Sequence, residues 1–546
     1  METKNDFTLS GQIVDLINEK VIKGRVHVKN GKIQSIEEDA SITQTQVILP
    51  GLIDAHIHVE SSMLIPSEFA RLAVVHGTVA TVSDPHEVAN VLGIDGVKFM
   101  IENGKKVPFK FYFGAPSCVP ATPFETAGAQ FSEKELDELL SMDEIAYLSE
   151  MMNFPGVINR MPSEMKKIEI ARKYHKPVDG HAPGIKGEDA QKYASAGIST
   201  DHECSTMEEA LEKIKYGMKI QIREGSAAKN FEALIDLMKD HADKVLFCSD
   251  DRHPNDLAAG HINDLVKRAI AKGHDPLKVL KSAILNPVVH YKMDVGLLRE
   301  GDPADMIVVD NLEDFSVLAT YINGEKVAEN GLPLISSVIE QMPNNFHAET
   351  ITLEDIRVED KGGDIKVIVS YDGELITGTA HARPKVVQGN LVSDTENDIL
   401  KMVVLNRYEK AKPAVGFIKN IGLKEGAFAS SVAHDSHNIL AVGTSDEAIV
   451  QAVNAIVKSK GGVVVVKDGE EHTLSLPVAG LMSVENGYQV ASRYETLDKM
   501  LHDMGATLRA PFMTLSFMAL LVIPELKLSD KGLFDGKTFS FTSLYD

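Results

Sequence analysis

Between residues 50 and 290, short β-rich runs alternate with amphipathic helical stretches, and this alternation limits the possible fold more than any other feature. Eight runs read as strands: "LIDAHIH", "TVATVSD", "FKFYFGA", "IAYLSE", "KPVDGHA", "GISTDHE", "MKIQIRE" and "VLFCSD". Parallel strands need crossover helices, and eight such units in roughly 240 residues predict a (β/α)8 TIM-like barrel over residues 50–294. Residues 12–49 carry alternating runs broken by Gly24 and Asn30-Gly31, the pattern of hairpins, and a matching pattern with Asn323-Gly324 follows residue 295. Segments 1–49 and 295–342 are therefore expected to form one composite β-sandwich domain across the barrel insertion. Runs such as "IKVIVSYD", "NILAVGT" and "GGVVVVKDG" predict a C-terminal α/β domain over 343–546, placed to cap the active site. The expected class is α/β.

Composition narrows the functions. A formal net charge of −23 argues against nucleic acid and anionic membrane partners. No basic stretch precedes an apolar core at the N-terminus, so no secretory signal is expected. The longest apolar run, "FMTLSFMALLVIP", is shorter than the roughly 20 residues a spanning helix needs and reads as a buried core segment. Cys118, Cys204 and Cys248 lie far apart without CxxC spacing, which predicts a reduced, cytoplasmic protein. Any metal must then be held by histidines and carboxylates.

Barrel enzymes carry their chemistry at the C-terminal strand ends. Here strand one ends in His56 and His58, strand four in Glu150, strand five in His181, strand six in His202 and Glu203, and strand eight in Asp250 and Asp251. His-x-His on a strand sends both side chains to one face, so both can reach one ion. Each alone also reads as a polar residue at a strand end. Jointly, four histidines and two carboxylates can hold two divalent ions if one carboxylate bridges, a donor set suited to Mn2+, Fe2+ or Zn2+.

These features resemble the amidohydrolase superfamily over residues 1 to about 330, through "PGLIDAHIH", the spaced His181, His202 and Asp250, and "GDPADMIVVD". Within it the chain is similar to the adenine deaminase family over nearly its whole length, through "DAHIHVESSM", "SDPHEVANV", "SEMMNFPGVI", "DGHAPG", "IREGSAAKN", "SDDRHP", "AHDSHNI" and "GLFDGK". The resemblance implies that His56, His58 and Asp250 hold one ion, His181 and His202 the other, and Glu150 bridges them. Many relatives use a carboxylated lysine as that bridge; Glu150 in its place matches the adenine deaminase branch. It also implies hydrolytic deamination of adenine to hypoxanthine and ammonia in purine salvage, by a metal-activated hydroxide.

Asp250 is then the candidate that takes the hydroxide proton and hands it to the leaving amine. Glu203 and Glu224 are candidates for protonating the ring, Glu203 ranked first; the alternative for Glu224 is a salt bridge with Arg223 or another neighbouring charge. Asp84, His86 and Glu87 at the end of strand two are expected to contact substrate or orient ligand imidazoles. Asp251 and Arg252 share that reading with capping or loop ion pairing, and Arg223 and Ser226 are further candidate substrate contacts. His434, Asp435, His437 and Asn438 read as a loop that covers the barrel mouth and recognises the purine, or as a side-chain-stabilised turn, with a further metal site less favoured. A homo-oligomer, dimer or tetramer, is expected. The rival readings are a hydantoinase-like or dihydroorotase-like amidohydrolase using the same two ions, and a non-catalytic scaffold.

Overall fold

A computed structural model of the chain describes residues 6–545. The eight barrel strands are Leu52–Ile57, Thr78–Ser83, Lys110–Ala115, Ile145–Met151, Val178–Gly180, Thr200–Asp201, Lys219–Arg223 and Val245–Cys248, called here the first to eighth strands. The first five pair in parallel, as do the last three. Two hydrogen bonds join the seams: Ser199 N donates to Val178 O, and Asp250 N donates to His56 O, each at 2.9 Å. The ring is therefore closed, and its strands are buried on both faces, which is why they read as nearly unbroken apolar runs. Some surrounding helices, such as Pro66–Ala73, are buried on nearly all sides, and others bury a single stripe. Ile262–Ala271, for example, buries Ile262, Leu265, Val266 and Ala269, the spacing of a single helical face.

The segments flanking the barrel join in one eight-stranded sheet. Val47–Pro50 is the splice, parallel to Phe7–Asp15 on one side and antiparallel to Met306–Val309 on the other. The sheet curls strongly. The rings of Phe7 and Tyr321 stack at 5.0 Å although two strands lie between theirs. Asn30-Gly31 and Asn323-Gly324 both have positive φ at each residue, as the tight hairpin turns require.

The C-terminal region is built on a second eight-stranded sheet, in the order Thr377–Ala382, Ile365–Ser370, Ala414–Lys419, Ile399–Leu405, Ile439–Gly443, Ala427–Ser430, Gly462–Lys467 and Glu470–Ser475. Strand alternation splits its side chains between two cores. Val403, Leu405, Ala441 and Val464 share a core with the helix Asp446–Ser459, while Met402, Val404, Val442 and Val465 belong to the same apolar cluster as the barrel and the helix Gly487–Asp503. A small meander, Leu526–Ser529, Gly532–Asp535 and Ser540–Phe541, completes this region. Among the described residues, no helix is long and apolar enough to cross a membrane.

Candidate active site

The strand ends converge on Glu150. Its Oε1 lies 3.4 Å from His58 Nε2, while its Oε2 lies 2.8 Å from His181 Nδ1 and 3.1 Å from His202 Nε2. Asp250 Oδ1 stands 3.2 Å from His58 Nε2 and 3.6 Å from His56 Nε2, and the His56 and His202 rings stack at 4.2 Å. Asp250 follows the eighth strand with a left-handed backbone, φ 56°, a sparsely populated conformation that clusters at functional sites. His58 Nδ1 meets the Asp84 carbonyl at 3.2 Å, which fixes its ring.

The donor atoms suit divalent cations. His56, His58 and Asp250 each offer a ligand atom within 4.8 Å of the others, as do His56, Glu150 and His202. Neither ring nitrogen of His56 has a hydrogen-bond partner, nor do His181 Nε2 and His202 Nδ1, although all are buried. Buried imidazole nitrogens left unpaired are costly, and ligation through His56 Nε2, which faces Asp250, would satisfy one of them.

The second and seventh strands complete the floor. His86 Nδ1 lies 3.1 Å from Asp84 Oδ2 and 3.4 Å from Glu150 Oε1. Arg223 clamps two carboxylates: its Nη1 is 2.5 Å from Asp250 Oδ2 and also donates to Glu203 Oε1, while Nη2 reaches Glu203 Oε2 at 3.2 Å. Alternation along the seventh strand sends the next residue outward, so Glu224 does not join the cluster. Its carboxylate pairs with Arg268 at 2.5 Å. Ser226 is likewise elsewhere, its hydroxyl donating to Asp256 and accepting from His253 N, and Arg252 donates to the Glu224 carbonyl.

The C-terminal region roofs this floor. Glu87 receives both His434 Nδ1 and His437 Nε2, and Asp435 Oδ1 approaches His86 Nε2 at 3.7 Å. Asp251 accepts a hydrogen bond from Ser61 Oγ and faces His434. Asn438 does not face the pocket; it donates to Thr126 O and accepts from Arg407 N. Phe517 stacks on His434 at 5.0 Å, and Leu375, Leu520, Val522 and Met152 close the remaining sides. Sequence reading missed these apolar contacts, because "FMTLSFMALLVIP" has the same composition whether it fills a core or roofs a site.

Comparison with known proteins bears on the whole arrangement. The amidohydrolase family model matches residues 47–327, and that of the adenine deaminase C-terminal domain matches residues 374–540. The chain is 54% identical to an adenine deaminase of Methanosarcina mazei, over 98% of this chain and 99% of that protein. It is 56% identical to an adenine deaminase of a Sulfurovum species, over 99% of each. A solved structure of a beta-aspartyl dipeptidase from Fervidobacterium islandicum covers 60% of this chain and 98% of its own, at 16% identity and a TM-score of 0.46. The chain belongs to the adenine deaminase family.

Charges in this adenine deaminase family site are set by contest between burial and neighbours. Burial acts to raise the Glu150 carboxyl, but His181 and His202 outweigh it and hold it well below the usual carboxylate range. Asp250 is likewise held well below by Arg223, His56 and His58 against burial, and Glu203 is lowered chiefly by Arg223. Burial lowers a histidine, yet Glu87 and Asp251 lift His434 to about 9. His437 shares Glu87 and is nevertheless lowered: burial dominates, and its Nδ1 accepts the Ala433 N–H, which fits a neutral ring. Glu60 is buried beside His58 and pushed up to about 7 by that burial.

Proposed function

We propose that this protein hydrolyses adenine to hypoxanthine and ammonia at the barrel mouth. What carries the reading is that the likeness to proteins named adenine deaminase runs the full length, so it includes both the strand-end cluster and the C-terminal segment that roofs it. The proposed ligands are His56, His58 and Asp250 for one divalent ion and His181 and His202 for the second, with Glu150 between them. Bound there, such ions supply the Lewis acidity that brings a water's pKa toward 7.

The remaining steps fall to side chains. Glu203, kept ionised by Arg223, accepts the proton released as water becomes hydroxide and delivers it to a ring nitrogen as oxygen adds at C6. Asp250 takes the remaining hydroxyl proton and passes it to the amino group, which departs as ammonia. Both protons of the water are thus used. Arg223 touches both carboxylates, so it keeps each in reach of the reacting atoms. In this reading His86, beside Glu150, and Asp435, which faces His86, contact the base.

Mn2+ or Fe2+ is the proposed ion pair, with Zn2+ the alternative that the same donors accept. A place in purine salvage and in the cytoplasm belongs to the same proposal; three free, widely spaced cysteines support the latter. The test is metal-stripped protein reconstituted with each ion and assayed for ammonia release from adenine, adenosine, guanine and cytosine. Release from adenine at about two bound ions per chain is expected. Activity on adenosine but not adenine, acid formation from a cyclic amide instead, or full activity without metal would overturn the reading.

A further inference from the structure

Lys527 is fully buried and, among the described residues, has no acidic partner. It sits in the strand Leu526–Ser529, whose four residues are all buried, opposite Phe534. Its Nζ donates to two main-chain carbonyls only, Leu375 O at 2.7 Å and Phe517 O at 3.0 Å. Burial alone, with no charged neighbour contributing, pushes it down to about 7. A lysine in such surroundings is costly, and a methionine of similar length would fill the space without that cost. The two carbonyls explain what the lysine adds.

Leu375 and Phe517 lie 142 positions apart in sequence, as 517 minus 375 gives, yet both line the space over the metal cluster. Leu375 belongs to the turn before Thr377–Ala382, and Phe517 opens the 3-10 turn Phe517–Ala519. Thr377 reinforces the same junction, donating from Oγ1 to Leu526 O at 2.9 Å and from N to Pro524 O at 3.0 Å. Phe517 in turn stacks on His434, which is bonded to Glu87 at the barrel mouth. A run of contacts therefore leads from Lys527 through the roof to the floor.

We propose that Lys527 is a positioning residue that pins the Leu375 and Phe517 carbonyls together and so sets the height of the apolar roof over the metal cluster. The inference rests on the adenine reading for its substrate, but not for its geometry. Lys527→Met keeps the stem and removes the donors. Its KM for adenine rises about ten-fold, the worth of roughly one lost hydrogen bond at each turn, while kcat stays near that of the unaltered protein. A small chelator such as dipicolinate strips bound Mn2+ several-fold faster from the variant, at unchanged initial stoichiometry. Thr377→Val moves both readouts in the same direction and less far.

Lys401→Met is the control: that lysine is also buried, but it bonds Ile356 O and Asp446 away from the roof. It lowers thermal stability and leaves KM and stripping unchanged. The proposal is overturned if folded, metal-loaded Lys527→Met keeps the original KM and stripping rate, or if Lys401→Met shifts them equally. Should Lys527→Met fail to fold, unchanged readouts in Thr377→Val overturn it. If the unaltered protein releases no ammonia from adenine, the functional reading fails, and the stripping rates still decide on Lys527.

Discussion

At the scale of single residues, the site turns on which way a side chain leaves its strand. Glu203 and Glu224 were both candidate acids beside strand ends, with Glu203 ranked first; Arg223 turns inward to Glu203 and Asp250, while Glu224 turns out to Arg268. Glu203→Gln is therefore expected to lower kcat by roughly 10²- to 10⁴-fold with metal content unchanged, checked by steady-state assay beside metal analysis. Glu224→Gln should leave kcat near its original value, and a comparable loss there would reverse the assignment. The histidines were legible because His-x-His on a strand needs only alternation to be read. Strand-end parity one residue further on depends on where the strand stops, which composition does not reveal. Leu375 and Phe517 left no signal of this kind, since apolar residues look alike in a core and over a site.

At the scale of elements, the fifth and sixth barrel strands are only three and two residues long, yet they deliver His181 and His202. Buried Lys213 compensates from behind, bonding Ala182 O, Asp201 and Glu209. Lys213→Met leaves two buried carboxylates without their cation and is expected to cost about 3–5 kcal/mol of stability, measurable by urea titration. Near-unchanged stability would show that the strands hold themselves. The loop around His434 gives a second prediction. His434 is raised to about 9 by Glu87 and Asp251 against burial, so its contribution is fully present below about 6.5, fades as pH rises, and is lost above about 9. Thermal melting should therefore decline from pH 6.5 to 9 in the unaltered protein, and Glu87→Gln should flatten that decline; parallel slopes would remove Glu87 as the cause.

At the scale of the whole molecule, one apolar cluster runs from Val14 through the barrel to Leu533. The period of the strands and helices made the barrel readable, because it is written locally. The loop around His434 was expected over the mouth, but its partners are not written locally: Glu87 and His437 are 350 positions apart, and only long-range packing brings them together. That closure has a consequence for turnover. Leu375, Phe517, Leu520 and Val522 stand over the cluster, so the base has to pass them in each catalytic cycle. Solvent friction should then slow the enzyme: kcat/KM is expected to fall in proportion to added sucrose viscosity, and a flat response would mean that opening is never limiting. If viscosity sets the pace, passage beneath the roof, and not the chemistry under it, times each release of ammonia.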